Sequence, residues 1–214
     1  MQIEVFGDTV CPWCRIGKRH LELALEQWDG EPVDVVYRAF FLNEGMPDEG
    51  ANYHEYMKEK LQGRVPMDQL YSRPTQAGEA VGLEFNFDKI QRSPNTRKSH
   101  QLVSLASDEK KKEVLDAIYD AYFQHGKDIG DISMLARIGE DAGLDRVAAS
   151  LLAGEGLEVV VGDIQQAREY GVSSVPLFVF DEKFAIAGAH PPDVLLSAMR
   201  HAIEQRQAAG AAVD

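Results

Sequence analysis

A chain of 214 residues, 44% hydrophobic and 27% charged, has the length and composition of an ordinary globular protein that buries a full core. Its 22 basic against 35 acidic residues leave a formal net charge of -13, which opposes binding to phosphate backbones and anionic lipid and excludes nucleic acid and membrane as expected partners. No apolar run approaches the roughly 20 residues of a membrane span.

Gln2 to Phe6 leans apolar and reads as a strand. Met1 to Phe6 lacks the cationic segment of an export signal, so the expected location is cytoplasmic. The turn Gly7-Asp8-Thr9 leads into Cys11-Pro12-Trp13-Cys14, which holds both cysteines of the chain. Pro12 suits a first helical turn, and Leu21, Ala24, Leu25 and Trp28 recur at helical spacing on a helix from about Cys14 to Trp28. After Asp29 to Pro32, the β-branched and aromatic stretch Val33 to Phe41 is a second strand, completing a βαβ start.

From Asn43 the period becomes helical. Tyr53, Tyr56, Met57 and Leu61 form one stripe; Gln76, Ala80 and Val81 indicate a short helix after Pro74, closed by Gly82. Asn95 or Thr96 caps a helix reaching Ala106, and a long helix after Asp108 places Val114, Ile118, Ala121 and Tyr122 on one face before Gly126. Asp131 caps a helix ending near Gly143, and Asp145 caps another through Leu152. Strand signal is almost absent from this block. After a helix from Leu157 to Tyr170, Val175 to Phe180 and Lys183 to Ala187 read as a hairpin about Asp181-Glu182, and Pro191-Pro192 opens a final helix before a frayed tail, Ala208 to Asp214.

The chemistry concentrates in the cysteine pair. Two intervening residues allow a small disulfide ring to open and close with little backbone movement, and a Cys on the first turn of a helix meets unpaired N–H groups and the positive end of the macrodipole. Cys11 is therefore expected to be an exposed attacking thiol of depressed pKa, and Cys14, one turn in, a shielded resolving thiol. A zinc site needs further ligands, and the chain offers no third Cys; His20 has no partner cluster and reads as a solvated or helix-face histidine, so no metal is expected. Pro176, after Ser173-Ser174-Val175, is read two ways: a strand-initiating proline, or a cis-proline loop beside the thiols where the Val175 backbone pairs with an extended substrate. The residues alone leave these even.

Strand, Cys-Pro-Trp-Cys, helix, strand, helical insertion, Gly171 to Pro176, hairpin and final helix together resemble the DsbA family of thiol-disulfide oxidoreductases, specifically its FrnE-like branch. Pro94-Asn95-Thr96 and Gly188-Ala189-His190-Pro191-Pro192 add to the likeness, which covers nearly the whole chain. The resemblance implies a thioredoxin-like α/β domain, residues 1–43 and 164–214, interrupted by an all-α insertion, residues 44–163. It implies Cys11 as nucleophile, Cys14 as resolving cysteine, Pro12 and Trp13 as the dipeptide setting redox poise, and Pro176 as a cis-proline. Asp8 is placed as a proton-handling or pKa-raising group, with a plain turn-forming role equally open. Asn43 and Asn95 match cleft-lining positions, though both serve equally as caps. Ser174 and Val175 complete the expected substrate-binding set.

The expected partners are a disulfide-containing protein, a peptide or a small-molecule thiol. No cofactor is expected beyond the redox-active disulfide, with glutathione a candidate co-substrate. Two rivals remain: a glutathione-dependent isomerase or transferase similar to 2-hydroxychromene-2-carboxylate isomerase and the kappa-class glutathione transferases, and a binding or chaperone module without turnover. In a reducing compartment the exchange runs as reduction or isomerisation. The sequence assigns no oligomeric state.

Overall fold

The computed structural model describes residues 1–62 and 66–211. Strand β1 (Gln2–Gly7) is followed by helix α1 (Pro12–Glu26) and strand β2 (Asp34–Ala39), and β1 and β2 pair in parallel with Val5 opposite Tyr37. Pro12 occupies the first helical turn, where a missing N–H costs nothing, and Cys11 is the N-cap.

The helical block contains more than helices. A two-stranded ribbon, β3 (Ala51–Asn52) with β4 (Arg92–Ser93), ties the start of the block to a segment near its middle. Two residues are too few to carry a period, which is why no strand is legible there. Helix α2 (Tyr53–Leu61) starts from an Asn52 side chain that accepts the Glu55 N–H. Helix α3 (Met67–Glu79) corrects the expectation of a short helix after Pro74: the proline lies inside it. Tyr71, before that proline, stacks on Phe87 at 4.7 Å between ring centroids, and this packing offsets the backbone hydrogen bond a proline removes.

Helices α4 (Arg97–Leu105) and α5 (Asp108–Tyr119) follow. The latter runs into a wider π-helical turn over Asp120–Gln124, where the His125 N–H donates to the Asp120 carbonyl at 3.1 Å. Such a turn shifts the helical phase, and here Tyr119, Tyr122 and Phe123 all point inward. Helix α6 (Ile132–Asp141) is capped by Asp131. Helix α7 (Val147–Ala153) corrects the expectation that Asp145 caps it: its N-cap is Arg146 in the left-handed conformation, φ 54°, with no side-chain cap.

Helix α8 (Leu157–Glu169) returns the chain to the sheet, and β5 (Leu177–Phe180), β6 (Phe184–Ala187) and α9 (Pro192–Ala211) complete it. The strand order is β2-β1-β5-β6, with β5 antiparallel to both neighbours. The β5–β6 turn holds Asp181 and Glu182 at φ 47° and 56° without glycine. Asp181 Oδ1 accepts the Gln2 N–H at 2.7 Å, a contact that anchors this unusual turn to β1. The last helix extends through Ala211 instead of fraying from Ala208; the expectation for 212–214 lies outside the described residues.

One sheet face buries Ile3, Val5, Phe178 and Phe180 against Leu21 and Ala24 of α1 and Leu195 and Met199 of α9. The other face carries α8, where Ala167 packs with Phe6 and Val179, and Val160 and Ile164 pack on Ala39. The helical block has its own core of Phe85, Phe87, Leu102, Ile118, Phe123 and Leu135, and this core also encloses Cys11, Cys14 and Ile16. The thiols therefore sit where the two halves meet. Among the described residues no helix is long and apolar enough to cross a membrane.

Gly17 lets α1 approach the 175–178 segment. An added Cβ there would lie 2.9 Å from Pro176 Cγ and 3.2 Å from Phe178 Cζ, both held in rigid rings. Gly17→Ala is expected to cost about 1–3 kcal/mol by overpacking. Urea melts check this, and a loss below about 0.5 kcal/mol would contradict it.

Candidate functional site

The chain leaves β1 at Gly7 and turns at once, with the Cys11 N–H donating to the Asp8 carbonyl at 3.0 Å. Cys11 Sγ accepts the Cys14 N–H at 3.2 Å, so the first sulfur lies over the open first turn of α1. Cys11 was expected to be exposed, and it is not: Cys11 and Cys14 are 4% and 3% exposed. The helical block closes over both, and the sulfurs differ instead in what they face. Cys11 lines a cavity of about 340 Å³, whereas Cys14 lines a cavity of about 60 Å³ on the other side.

Burial is the largest cause pushing the Cys14 thiol well above its ordinary range, followed by the hydrogen bond and charge of Cys11; the Asp8 N–H opposes and the Asp8 carboxylate adds to the rise. The sign for stability follows. A raised folded pKa means the contribution of the protonated thiol is complete below the unfolded value and is lost as pH rises through the folded one. Reduced protein should therefore lose stability above about pH 8.5, where an unfolded cysteine ionises. Thermal melts across alkaline pH should fall more steeply for reduced wild type than for Cys14→Ser; parallel curves would contradict the assignment.

Asp8 is 1% exposed and does more than turn the chain. Its Oδ2 accepts the Leu42 N–H at 2.8 Å, and its Oδ1 lies 3.2 Å from His100 Nε2. Beside it the Thr9 and Ser99 hydroxyls meet at 2.7 Å, fastening the Cys loop to α4. The Tyr119 hydroxyl donates to the Asp8 carbonyl at 3.4 Å. Burial raises the Tyr119 pKa first of all, with charge on Cys14, Cys11 and Asp8 adding to it, so this hydroxyl stays a donor.

Val175 lines the larger cavity, its carbonyl 3.9 Å from Cys11 Sγ, and the Val175–Pro176 peptide bond is cis. Pro176 is buried against Gly17, and Ser174 is exposed beside them. Pro12 and Trp13 line the same cavity. Asn43 also lines it, its amide donating to the Tyr56 hydroxyl at 3.3 Å. Asn95 stands behind the wall: its amide donates to the Met46 carbonyl at 2.7 Å, and its Oδ1 accepts the Arg97 N–H at 3.0 Å. His20 is a half-buried helix-face residue of α1, with Nδ1 enclosed.

Sequence reasoning missed His100 and the aromatic walls. His100 lies in the polar run Arg97 to Gln101, where nothing marks it as buried until Phe41 and Asp8 pack on it. Tyr53 and Tyr122 read as members of helical stripes, whereas Tyr71, Phe87 and Phe123 carry no reading in the sequence; all five pack in or against the helical core and line the cavity.

A mixed sheet clasped by helices on both faces, a Cys-x-x-Cys pair opening the first helix, and a cis-proline opposite the first sulfur define a thioredoxin-like protein with a large helical insertion. The chain belongs to the DSBA-like thioredoxin domain family, whose model matches residues 2–200. It is 27% identical over 207 residues to the uncharacterized protein YwbO of Bacillus subtilis, covering 93% of this chain and 96% of that one. A probable DsbA oxidoreductase from Streptomyces coelicolor superposes with a TM-score of 0.87 at 27% identity, over 95% of this chain and 90% of the other. The cytosolic disulfide reductase DsbM from Pseudomonas aeruginosa, solved with glutathione, shares the fold with a TM-score of 0.62 at 18% identity, over 94% and 100% of the two chains.

Proposed function

We propose that this protein is a thiol-disulfide oxidoreductase of the FrnE-like branch, exchanging disulfides through Cys11-Pro12-Trp13-Cys14. The observation that carries the reading is the Cys11 sulfur, held by the Cys14 N–H at the start of α1 and facing a cavity beside the Val175 carbonyl. Cys11 thiolate attacks one sulfur of a substrate disulfide and forms a mixed disulfide, and the other sulfur leaves as a thiolate. Cys14 then gives up its proton and attacks Cys11 Sγ, releasing the second substrate thiolate and closing the Cys11–Cys14 disulfide. Two electrons pass to the substrate, and the two thiol protons go to the released thiolates or to solvent.

The thioredoxin-like part, residues 1–43 and 164–214, carries the thiols and the Val175-Pro176 loop, and the helical part, residues 44–163, supplies most of the cavity wall. Pro12, Trp13 and Asp8 tune the couple; Val175, Pro176, Ser174 and Asn43 position substrate, and Asn95 acts through the loop it holds. The substrate is a disulfide-containing protein, peptide or small molecule, with a small thiol such as glutathione returning the enzyme to its reduced state. Reduction or isomerisation in the cytoplasm is the direction favoured by a reducing thiol pool, and the fold likeness to a cytosolic disulfide reductase supports it.

With dithiothreitol as donor, catalytic amounts of the protein should speed reduction of insulin and of hydroxyethyl disulfide, and Cys11→Ala should return both to the uncatalysed rate. Wild-type rates equal to the uncatalysed reaction would reject the proposal.

A further inference from the structure

The cavity in front of Cys11 has a chemical bias of its own. Tyr53, Tyr71, Phe87, Tyr122 and Phe123 form its floor and sides, and Met46, Met57, Leu61 and Leu70 fill the gaps between the rings. Among the described lining residues the only charged ones are Asp8, whose carboxylate is already engaged by Leu42 and His100, and Lys60, exposed at the rim with Nζ 5.5 Å from the Tyr56 ring centroid. No guanidinium is among them to grip a carboxylate in paired fashion. Two apolar side chains stay exposed at the mouth, Trp13 at 39% and Leu42 at 40%, so the apolar surface continues outward from the cavity. The volume, about 340 Å³, lies at the small end of sites that enclose a small organic molecule.

From this lining we infer that the preferred substrate is a compact small-molecule disulfide bearing an uncharged aromatic or bulky apolar group a few bonds from the reacting sulfur. This inference rests on the thiol-disulfide reading above. The ring enters among Tyr53, Tyr71 and Phe87 while one substrate sulfur meets Cys11 Sγ; Cys11 bonds to that sulfur, the substrate S–S bond breaks, and the far half leaves as a thiolate. Cys14 then displaces the bound half, so the dithiol loses two electrons and the disulfide gains them. Glutathione disulfide, polar and carrying carboxylates at both ends of each half, finds among the described lining residues one rim lysine, the Asp8 carboxylate, a few neutral polar groups such as Asn43, Ser93 and Thr96, and mainly aromatic and apolar walls.

The test uses full-length protein reduced beforehand and freed of donor, so that one turnover is read. Diphenethyl disulfide, hydroxyethyl disulfide, glutathione disulfide and a disulfide-linked pair of glycine-flanked cysteine peptides are mixed with it in turn. Closure of Cys11–Cys14 is followed by acid quench, alkylation and intact mass, and each rate is divided by the rate of the same disulfide with dithiothreitol. The normalised rate for diphenethyl disulfide should exceed each of the others by about tenfold or more, the discrimination expected when an apolar pocket accepts a large apolar group. Tyr56→Ala at the rim, and Leu42→Asp at an exposed position that leaves folding intact, should each narrow the advantage over hydroxyethyl disulfide. Equal normalised rates, or a lead for glutathione disulfide or the peptide pair, would overturn the inference while leaving the redox reading in place. Failure of all four to close the disulfide would remove both.

Discussion

Reduced Cys14→Ser protein, given a disulfide, should accumulate a mixed disulfide on Cys11 and hold it. In the proposed exchange the second step is an attack between neighbours on one helical turn, with Cys11 Sγ accepting the Cys14 N–H. An intramolecular thiol so placed outpaces external thiols, and removing it should lengthen the lifetime of the adduct at least ~100-fold. Cys11→Ser is the informative counterpart. Cys14 is buried, faces the smaller cavity and is kept protonated by that burial, so it should not take over as nucleophile, and no adduct should form. Intact mass with and without reductant reads both outcomes. An adduct on Cys14, or none in Cys14→Ser, would reverse or remove the assigned roles.

Arg38→Met should destabilise the protein more than any substitution at the cysteines. Glu4 on β1 is 1% exposed and Asp163 on α8 is 6% exposed, and Arg38 on β2 reaches both, at 2.8 Å to Glu4 Oε1 and 3.1 Å to Asp163 Oδ1. Burial lowers the Arg38 pKa, but Glu4 and Asp163 outweigh it and the net shift is upward. Without the guanidinium two buried carboxylates lose their shared cation, a loss on the order of 3–5 kcal/mol. The Ala39 N–H to Asp163 Oδ2 and the Gln166 amide to Glu4 Oε1 remain, so the effect is an electrostatic deficit within intact packing.

The deficit has a pH signature. Burial, the largest cause, already raises the Asp163 pKa against the pull of the Ala39 N–H and Arg38, and removing Arg38 raises it further. A carboxyl with a raised folded pKa stabilises most when protonated, and that contribution is lost as pH rises through the folded value. The gap between Arg38→Met and wild type should therefore shrink as pH falls from about 7 toward 5. Melts across that range check it, and a gap below about 1 kcal/mol, or one that does not change with pH, would contradict it.

What could be read from the sequence divides along physical lines. Elements whose stabilisation comes from their own periodic face were legible: α1 through Leu21 and Ala24, α6 through Leu135 and Ile138, the apolar run of β5. The reactive pair was legible because its chemistry depends on spacing within one turn. Elements decided by partners distant in the chain were not. Pro74 lies inside a helix whose Tyr71 stacks on Phe87, beyond the helix end, and α7 begins at a left-handed Arg146 rather than at a capping Asp145. The same holds within the site. Asp8 and His100 are 92 positions apart and meet only when α4 closes over the Cys loop, and the burial of Cys11 is imposed by a helical block whose docking no local pattern records.

That burial gives the two sulfurs different surroundings. Cys11 opens on the roomy, mainly apolar side, whereas Cys14 opens on a space with room for only a few water molecules, between polar side chains such as Lys18, His100 and Asp163 and apolar ones such as Val36, Val103 and Leu115. In the proposed exchange the substrate meets the dithiol on the Cys11 side, while the space behind Cys14 is small and of mixed polarity. A bulky disulfide has no room behind Cys14. The proposed order, Cys11 first and Cys14 second, thus agrees with the available space as well as with the raised pKa of the Cys14 thiol.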